Sequence, residues 1–108
     1  MEDAFERRSA RRFLMKLPMK VRFSESHGIA EKSAQSRDVS FRGAYFTIDA
    51  SLDVGAAIEF VLTLPQQITM AGDVYIRCYG RVLRVEDRQD GQGVAARIER
   101  YEFLPNPS

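Results

Sequence analysis

Leu17-Pro18-Met19-Lys20-Val21-Arg22-Phe23-Ser24 is the stretch that decides the fold. Leu17, Met19, Val21 and Phe23 alternate with Pro18, Lys20, Arg22 and Ser24. A period of two held over eight residues predicts a strand with one buried face. Working outward, Ala44-Tyr45-Phe46-Thr47-Ile48 is aromatic and β-branched and predicts a second strand. Asp49 to Gly55 is polar and suits a turn. Ala57 to Leu64 is a strongly apolar strand stopped by Pro65. Val74 to Val85 alternates again, with Gly80 as a bulge or bend. Asp87 to Gly93 carries an Asp-Gly turn signal, and Gln92 to Phe103 supplies the last strand. Glu25 to Ser36 is polar and rich in Gly, Ser and Ala, which leaves open a mobile loop or a short helix. The tail from Leu104 holds two prolines and is not expected to be helical.

Five or six strands without a long amphipathic helix predict a small antiparallel barrel or sandwich. The barrel is favoured, because so short a sheet has to close or cover its edges. With 108 residues the chain is one domain, and a two-domain enzyme with a large cleft is excluded. No apolar run approaches the roughly 18–20 residues of a membrane span. Cys78 is the single cysteine and His27 the single histidine. An internal disulfide, a cysteine-rich zinc site and a His-based metal or catalytic cluster are therefore not expected. The N-terminus has no apolar stretch behind its charges, so no secretory signal is read there, and the default compartment is the cytoplasm.

The formal charge is +1, but it is unevenly placed. Residues 1–22 hold seven basic and three acidic side chains, or +4; the remainder holds nine and twelve, or −3. Arg7, Arg8, Arg11 and Arg12 fall within six positions. Guanidinium suits bidentate capture of phosphate and of a guanine edge. On charge alone, a solvated face remains the plainer reading. The second feature is Asp38-Val39-Ser40-Phe41-Arg42-Gly43. On a strand, Asp38 and Ser40 point to the same side. Gly43 suits a positive φ or a close approach. Alone, this pattern also reads as a turn between two strands.

Together, an arginine pair four apart and Asp-x-Ser-x-x-Gly some 25 residues later resemble the PilZ family. Its motifs are RxxxR, met at Arg8 and Arg12, and [D/N]xSxxG, met at Asp38, Ser40 and Gly43. The alternative pair Arg7 and Arg11 fits less well, since Arg12 directly precedes the apolar stretch leading into the first strand. The resemblance covers roughly residues 6–103, including LPMKVRF, SRDVSFRGAYF and GVAARIERYEF. It implies a small six-stranded antiparallel β-barrel over 17–104 with a flexible basic arm over 1–16; the tail over 105–108, with little or no C-terminal helix expected, departs from the many family members that end in an amphipathic helix. It implies a cyclic di-GMP receptor, not an enzyme, with neither cofactor nor metal.

On that resemblance Arg8 and Arg12 hold phosphates and the guanine Hoogsteen edge, while Asp38, Ser40 and Gly43 hold guanine on the barrel surface. Arg37 adds a further guanidinium. Arg7, just before RxxxR, implies an intercalated cyclic di-GMP dimer. Arg42 departs from the additional glycine the family often has there. Output passes through an unidentified downstream protein. The alternatives are a ligand-independent PilZ-like interaction module and a small nucleic-acid-binding barrel, the latter weakened by the absence of tryptophan. Cys78 and Phe46 are expected in the core, His27 in solvent, and Asp87 and Asp90 in a hairpin turn. Tyr45 is left to cover a guanine face or pack.

Overall fold

The computed structural model describes residues 16–25, 27–89 and 91–104. Six strands follow one another: β1 (Pro18–Glu25), β2 (Gly28–Val39), β3 (Gly43–Ile48), β4 (Ala57–Leu64), β5 (Val74–Arg88) and β6 (Gly91–Leu104). A single helical turn, α1 (Gln66–Thr69), bridges β4 and β5. All pairings are antiparallel, and the order β1-β2-β3-β6-β5-β4 closes because β1 pairs with both β2 and β4. Closure removes the free edges of an open sheet over the central part of the ring, while residues 28–33 of β2 and 98–104 of β6 extend past it with one paired neighbour each. Among the described residues no helix is long and apolar enough to cross a membrane. The arm and the tail lie outside the described residues, apart from Lys16.

The alternation in β1 is borne out: Leu17, Met19, Val21 and Phe23 are buried, and the residues between them are exposed. They meet Phe46, Phe60, Val82 and Val94 in the barrel interior. The rings of Phe46 and Phe60 lie 6.0 Å apart at 45°, a tilted aromatic contact at the centre of the core. Cys78 is 2% exposed, and burial pushes its thiol up to about 12. The plug at one end is the loop after β3. Leu52 is buried there, and its N–H donates to the side-chain oxygen of buried Gln92 at 2.9 Å.

Most of the segment read as a mobile loop or short helix is strand, which corrects the sequence reading. Residues 28–36 belong to β2, the twelve-residue strand paired with β1 and β3. The places paired with core residues of β1 and β3 hold Ala30, Lys32, Ala34 and Ser36, three small residues and an exposed lysine, so no hydrophobic alternation marks it. The backbone ladder with β1 holds residues 28–35 instead, and β3 joins it on the other flank from Ala34 on. Ser36 adds a further tie: its Oγ accepts from Leu17 N–H at 2.9 Å, and its N–H donates to Leu17 O at 3.0 Å. Nor was α1 foreseen; it begins after Pro65, which ends β4 as the sequence implied.

The expected irregularity at Gly80 is present, since the β5–β6 register shifts between Tyr79 and Gly80. A side chain at Gly80 would collide with the carbonyl of Arg97 on the neighbouring strand. Gly80→Ala is therefore expected to destabilise the barrel by about 1–3 kcal/mol, the range for forced overpacking. Thermal unfolding followed by circular dichroism should show Tm lowered by roughly 4 °C or more. An unchanged Tm would refute this close approach.

Candidate ligand-binding site

Two irregularities in the sheet build a hollow on the barrel wall. The first is in β2, where the pairing with β3 shifts between Ser36 and Asp38. Ser36 pairs with core-facing Phe46, whereas Asp38 pairs with Tyr45, which is absent from the core cluster. Directly paired residues share a face, so the shift turns Asp38 outward with Tyr45. The second is in β5, where the register shifts between Val82 and Arg84. Val82 stays in the core, and Leu83 and Arg84 are both exposed. A bulge re-aims side chains in this way.

The result is a cavity of about 480 Å³ lined by Arg37, Asp38, Arg42, Gly43, Tyr45, Leu83, Arg84 and Arg97, with Ala44, Ala95 and Ala96 as its floor. Four guanidinium groups against one carboxylate make this lining positive. Elsewhere on the wall arginines meet carboxylates across strands. Arg22 faces Glu31 and Glu59, and Arg77 faces Glu59 and Glu102, at 3.3–3.8 Å. Such exposed pairs contribute only about 0–1 kcal/mol each, but they cancel charge. In the hollow, Arg97 has Glu99 at 2.9 Å and Arg37 has Asp38 at 3.2 Å.

Asp38 is 3% exposed, so its carboxylate is largely withdrawn from water. Arg37 Nε donates to its Oδ2, and the Arg37 guanidinium also lies 3.9 Å from the centre of the Tyr45 ring. Tyr45 is thereby covered on one face. Its hydroxyl donates to Glu86 Oε1 at 2.5 Å. A side chain at Gly93 would occupy the place of the Tyr45 hydroxyl. Arg37, Gly93 and Glu86 thus fix the ring as a wall of the hollow. Phe46 is in the core, as expected.

Ser40 does not share a face with Asp38, because it lies beyond the end of β2. Its Oγ accepts from the N–H groups of Arg42 and Gly43 at 3.1 and 3.3 Å, and its own N–H donates to Gly43 O at 2.8 Å. Ser40 builds the β2–β3 turn that carries Arg42. Gly43 has no positive φ. It is needed for close approach, since a Cβ there would lie 2.5 Å from Ala96 O. Of the other expected site residues, Arg37 and Asp38 come together with Gly43. Arg7, Arg8 and Arg12 lie outside the described residues. Arg84 and Arg97 were not picked out by the sequence reading. The first depends on a bulge with no glycine or proline to mark it, and the second on the pairing of β6 with β3.

Fold and site together define a small all-β binding domain with an arginine-lined hollow. The PilZ domain model matches residues 6–106, and the chain belongs to the PilZ domain family. PilZ domains are binding and effector domains. No curated protein sequence matches the chain. Among solved structures it is similar to the inhibitor of motility of Bacillus subtilis, MotI/DgrA, with a TM-score of 0.68 and 15% identity. The alignment covers 82% of this chain and 41% of that one, so the likeness is one of fold and the chain spans about two fifths of that protein.

The Tyr45–Glu86 hydrogen bond sets a pH window. It holds the Glu86 carboxyl below its ordinary 4.5 and, with burial, raises the Tyr45 hydroxyl above 10.0. A depressed carboxylate contributes stability above its unfolded value that is lost as pH falls through the folded one. A raised phenol contributes below its unfolded value and loses it as pH rises. The stability gap between the natural chain and Tyr45→Phe should therefore be widest between about pH 5 and 9 and shrink beyond both ends. Urea midpoints across pH measure it; a gap independent of pH would show that the bond is absent.

Proposed function

We propose that this chain is a cyclic di-GMP receptor that clamps the dinucleotide between the arginine arm and the hollow and signals through a partner protein. The observation that carries the reading is the withdrawn Asp38 carboxylate within an otherwise arginine-lined cavity, in a chain of the PilZ family. The ligand has two phosphates and two guanines. A guanine N1–H and N2–H₂ edge offers donors to a carboxylate, and Asp38 is the acceptor assigned to it. A carboxylate held away from water makes such bonds stronger. Guanidinium donors match guanine O6 and N7 and the phosphate oxygens.

Arg8 and Arg12 supply the arm's contacts in this proposal, with Arg7 and Arg37 as further donors. Arg42, Arg84 and Arg97 surround the ligand from the barrel side. Ser40 and Gly43 act by shaping the turn. Each charge-assisted bond contributes about 1.5–3 kcal/mol, and micromolar affinity needs only about 8 kcal/mol net. A few such contacts suffice, with no catalytic group invoked. An action in the cytoplasm on a downstream protein belongs to the same proposal. So does a bound intercalated dimer, through Arg7.

Calorimetric titration with cyclic di-GMP, GTP and single-stranded DNA tests the reading. Saturable binding is expected for cyclic di-GMP alone. Binding to DNA with steep salt dependence would favour a nucleic-acid-binding barrel, and no binding by the folded chain would leave a ligand-independent module. Arg8→Ala and Arg12→Ala should each abolish binding with Tm unchanged. Arg84→Ala and Arg97→Ala should each weaken it about tenfold, the equivalent of one contact worth about 1.4 kcal/mol. Two ligands per protomer are expected; a stoichiometry of one removes the intercalated dimer.

A further inference from the structure

The barrel end opposite the Leu52 plug holds a cavity of about 210 Å³ with almost entirely apolar walls, formed by Leu17, Leu62, Leu64, Ile76 and Ile98. Three aromatic residues stand at its rim. Phe41 is 66% exposed and Phe103 63%. Tyr101 links them, stacked on Phe41 at 5.9 Å and edge-on to Phe103 at 6.2 Å. Contiguous apolar surface of this kind around a hollow marks an interaction site.

The sequence supplies an occupant at the rim itself. Leu17 lines the cavity, and both its N–H and its carbonyl are tied to Ser36. The chain therefore enters the barrel at this mouth. Phe13-Leu14-Met15 precedes that point by one residue, Lys16. Four residues span up to about 14 Å when extended, so Phe13 can reach the aromatic rim and the cavity behind it. Attachment gives such a segment an effective concentration on the order of millimolar over any free partner. We infer that Phe13, followed by Leu14, docks into this apolar mouth within the same molecule and roots the arginine arm.

The root has a consequence for the ligand, which rests on the cyclic di-GMP reading; the docking itself does not. Ser40 and Phe41 line the mouth, while Arg42 and Gly43 line the charged hollow. One four-residue turn separates the two. Seating Phe13 on one side keeps Arg12, its chain neighbour, beside that turn. The arm then approaches Asp38 from a fixed base rather than from a free tether.

The decisive experiment needs no ligand. Phe13→Ser, Phe41→Ser, Phe103→Ser and the doubles with Phe13→Ser are compared by Tm, by fluorescence of a dye that binds exposed apolar surface, and by sedimentation. The natural chain should be monomeric and bind little dye. Phe13→Ser should lower Tm by several degrees and raise dye fluorescence several-fold. Each double should lose little more than its larger single, the mark of residues in contact. Phe41→Ser alters an exposed turn residue and keeps the test alive if Phe103→Ser fails to fold.

Strict additivity, or a Phe13→Ser chain with unchanged Tm and dye binding, overturns the docking. So does a natural chain already bright with dye, which means a mouth open to a foreign partner. A natural dimer dissociated by Phe103→Ser overturns it in favour of a second copy. Cyclic di-GMP titration of Phe13→Ser is then expected to show at least fivefold weaker binding. Absence of binding by the natural chain would sink the receptor reading and leave the docking to be judged by dye and Tm alone.

Discussion

Closure of the sheet is the constraint on which the rest of this molecule depends. β1 accepts neighbours on both flanks, β2 on one and β4 on the other, and so converts a six-stranded sheet into a ring. A ring of six strands must turn tightly, and the turning is done where side chains are missing. Gly43 and Gly80 both sit against backbone of β6, at Ala96 and Arg97. Those close approaches draw the β3–β6 and β5–β6 seams together around the core that centres on Phe46, Phe60 and Val21. Stability and site geometry therefore share the same few contacts.

The bulges follow from the same requirement and give it a second use. An unbroken ladder would place Ser36 and Asp38 on one face and put a carboxylate near the core, at a cost of several kcal/mol. The shift at Arg37 turns Asp38 outward, beside Tyr45, and leaves Ser36 inside to hold Leu17. The shift at Leu83 likewise brings Arg84 onto the wall that Asp38 faces. Both departures from regular pairing aim polar groups at one hollow. That coincidence, and not an absence of ion pairs, distinguishes the hollow, since Arg37 and Arg97 there pair with Asp38 and Glu99.

How far the sequence disclosed this depends on what each element rests on. β1 and β4 were legible because each buries one full apolar face, and periodicity records burial. β2 was illegible over residues 28–36 because the face it turns toward the core holds alanines, a lysine and a serine. It is a strand by virtue of its neighbours, and no local signal reports neighbours. The candidate site divides in the same way. Asp38 and Gly43 could be named because they form a spaced motif within six residues. Ser40 was assigned to the ligand, yet its hydroxyl is engaged in the turn, a role that its position after the strand end decides. Arg84 and Arg97 come from strands distant in sequence and meet Asp38 only through the pairing.

The charge distribution gains its meaning from that geometry. The barrel, residues 17–104, holds eleven basic and twelve acidic side chains, or −1, so as a whole it offers no broad basic face to a polyanion. Yet Arg37, Arg42, Arg84 and Arg97 gather around a cavity of about 480 Å³ with Asp38 as the acid in its lining. A field so confined acts over about one Debye length, roughly 8–10 Å in physiological salt. It favours an anion small enough to enter, and the surrounding acidic surface opposes a long one that would lie across it. A compact dinucleotide meets both conditions. On the proposed reading its phosphates would come within reach of the guanidinium groups and its guanine edge would meet the Asp38 carboxylate. On the proposed reading, selectivity against nucleic-acid polymers then comes from the acidic remainder of the barrel as much as from the arginines themselves.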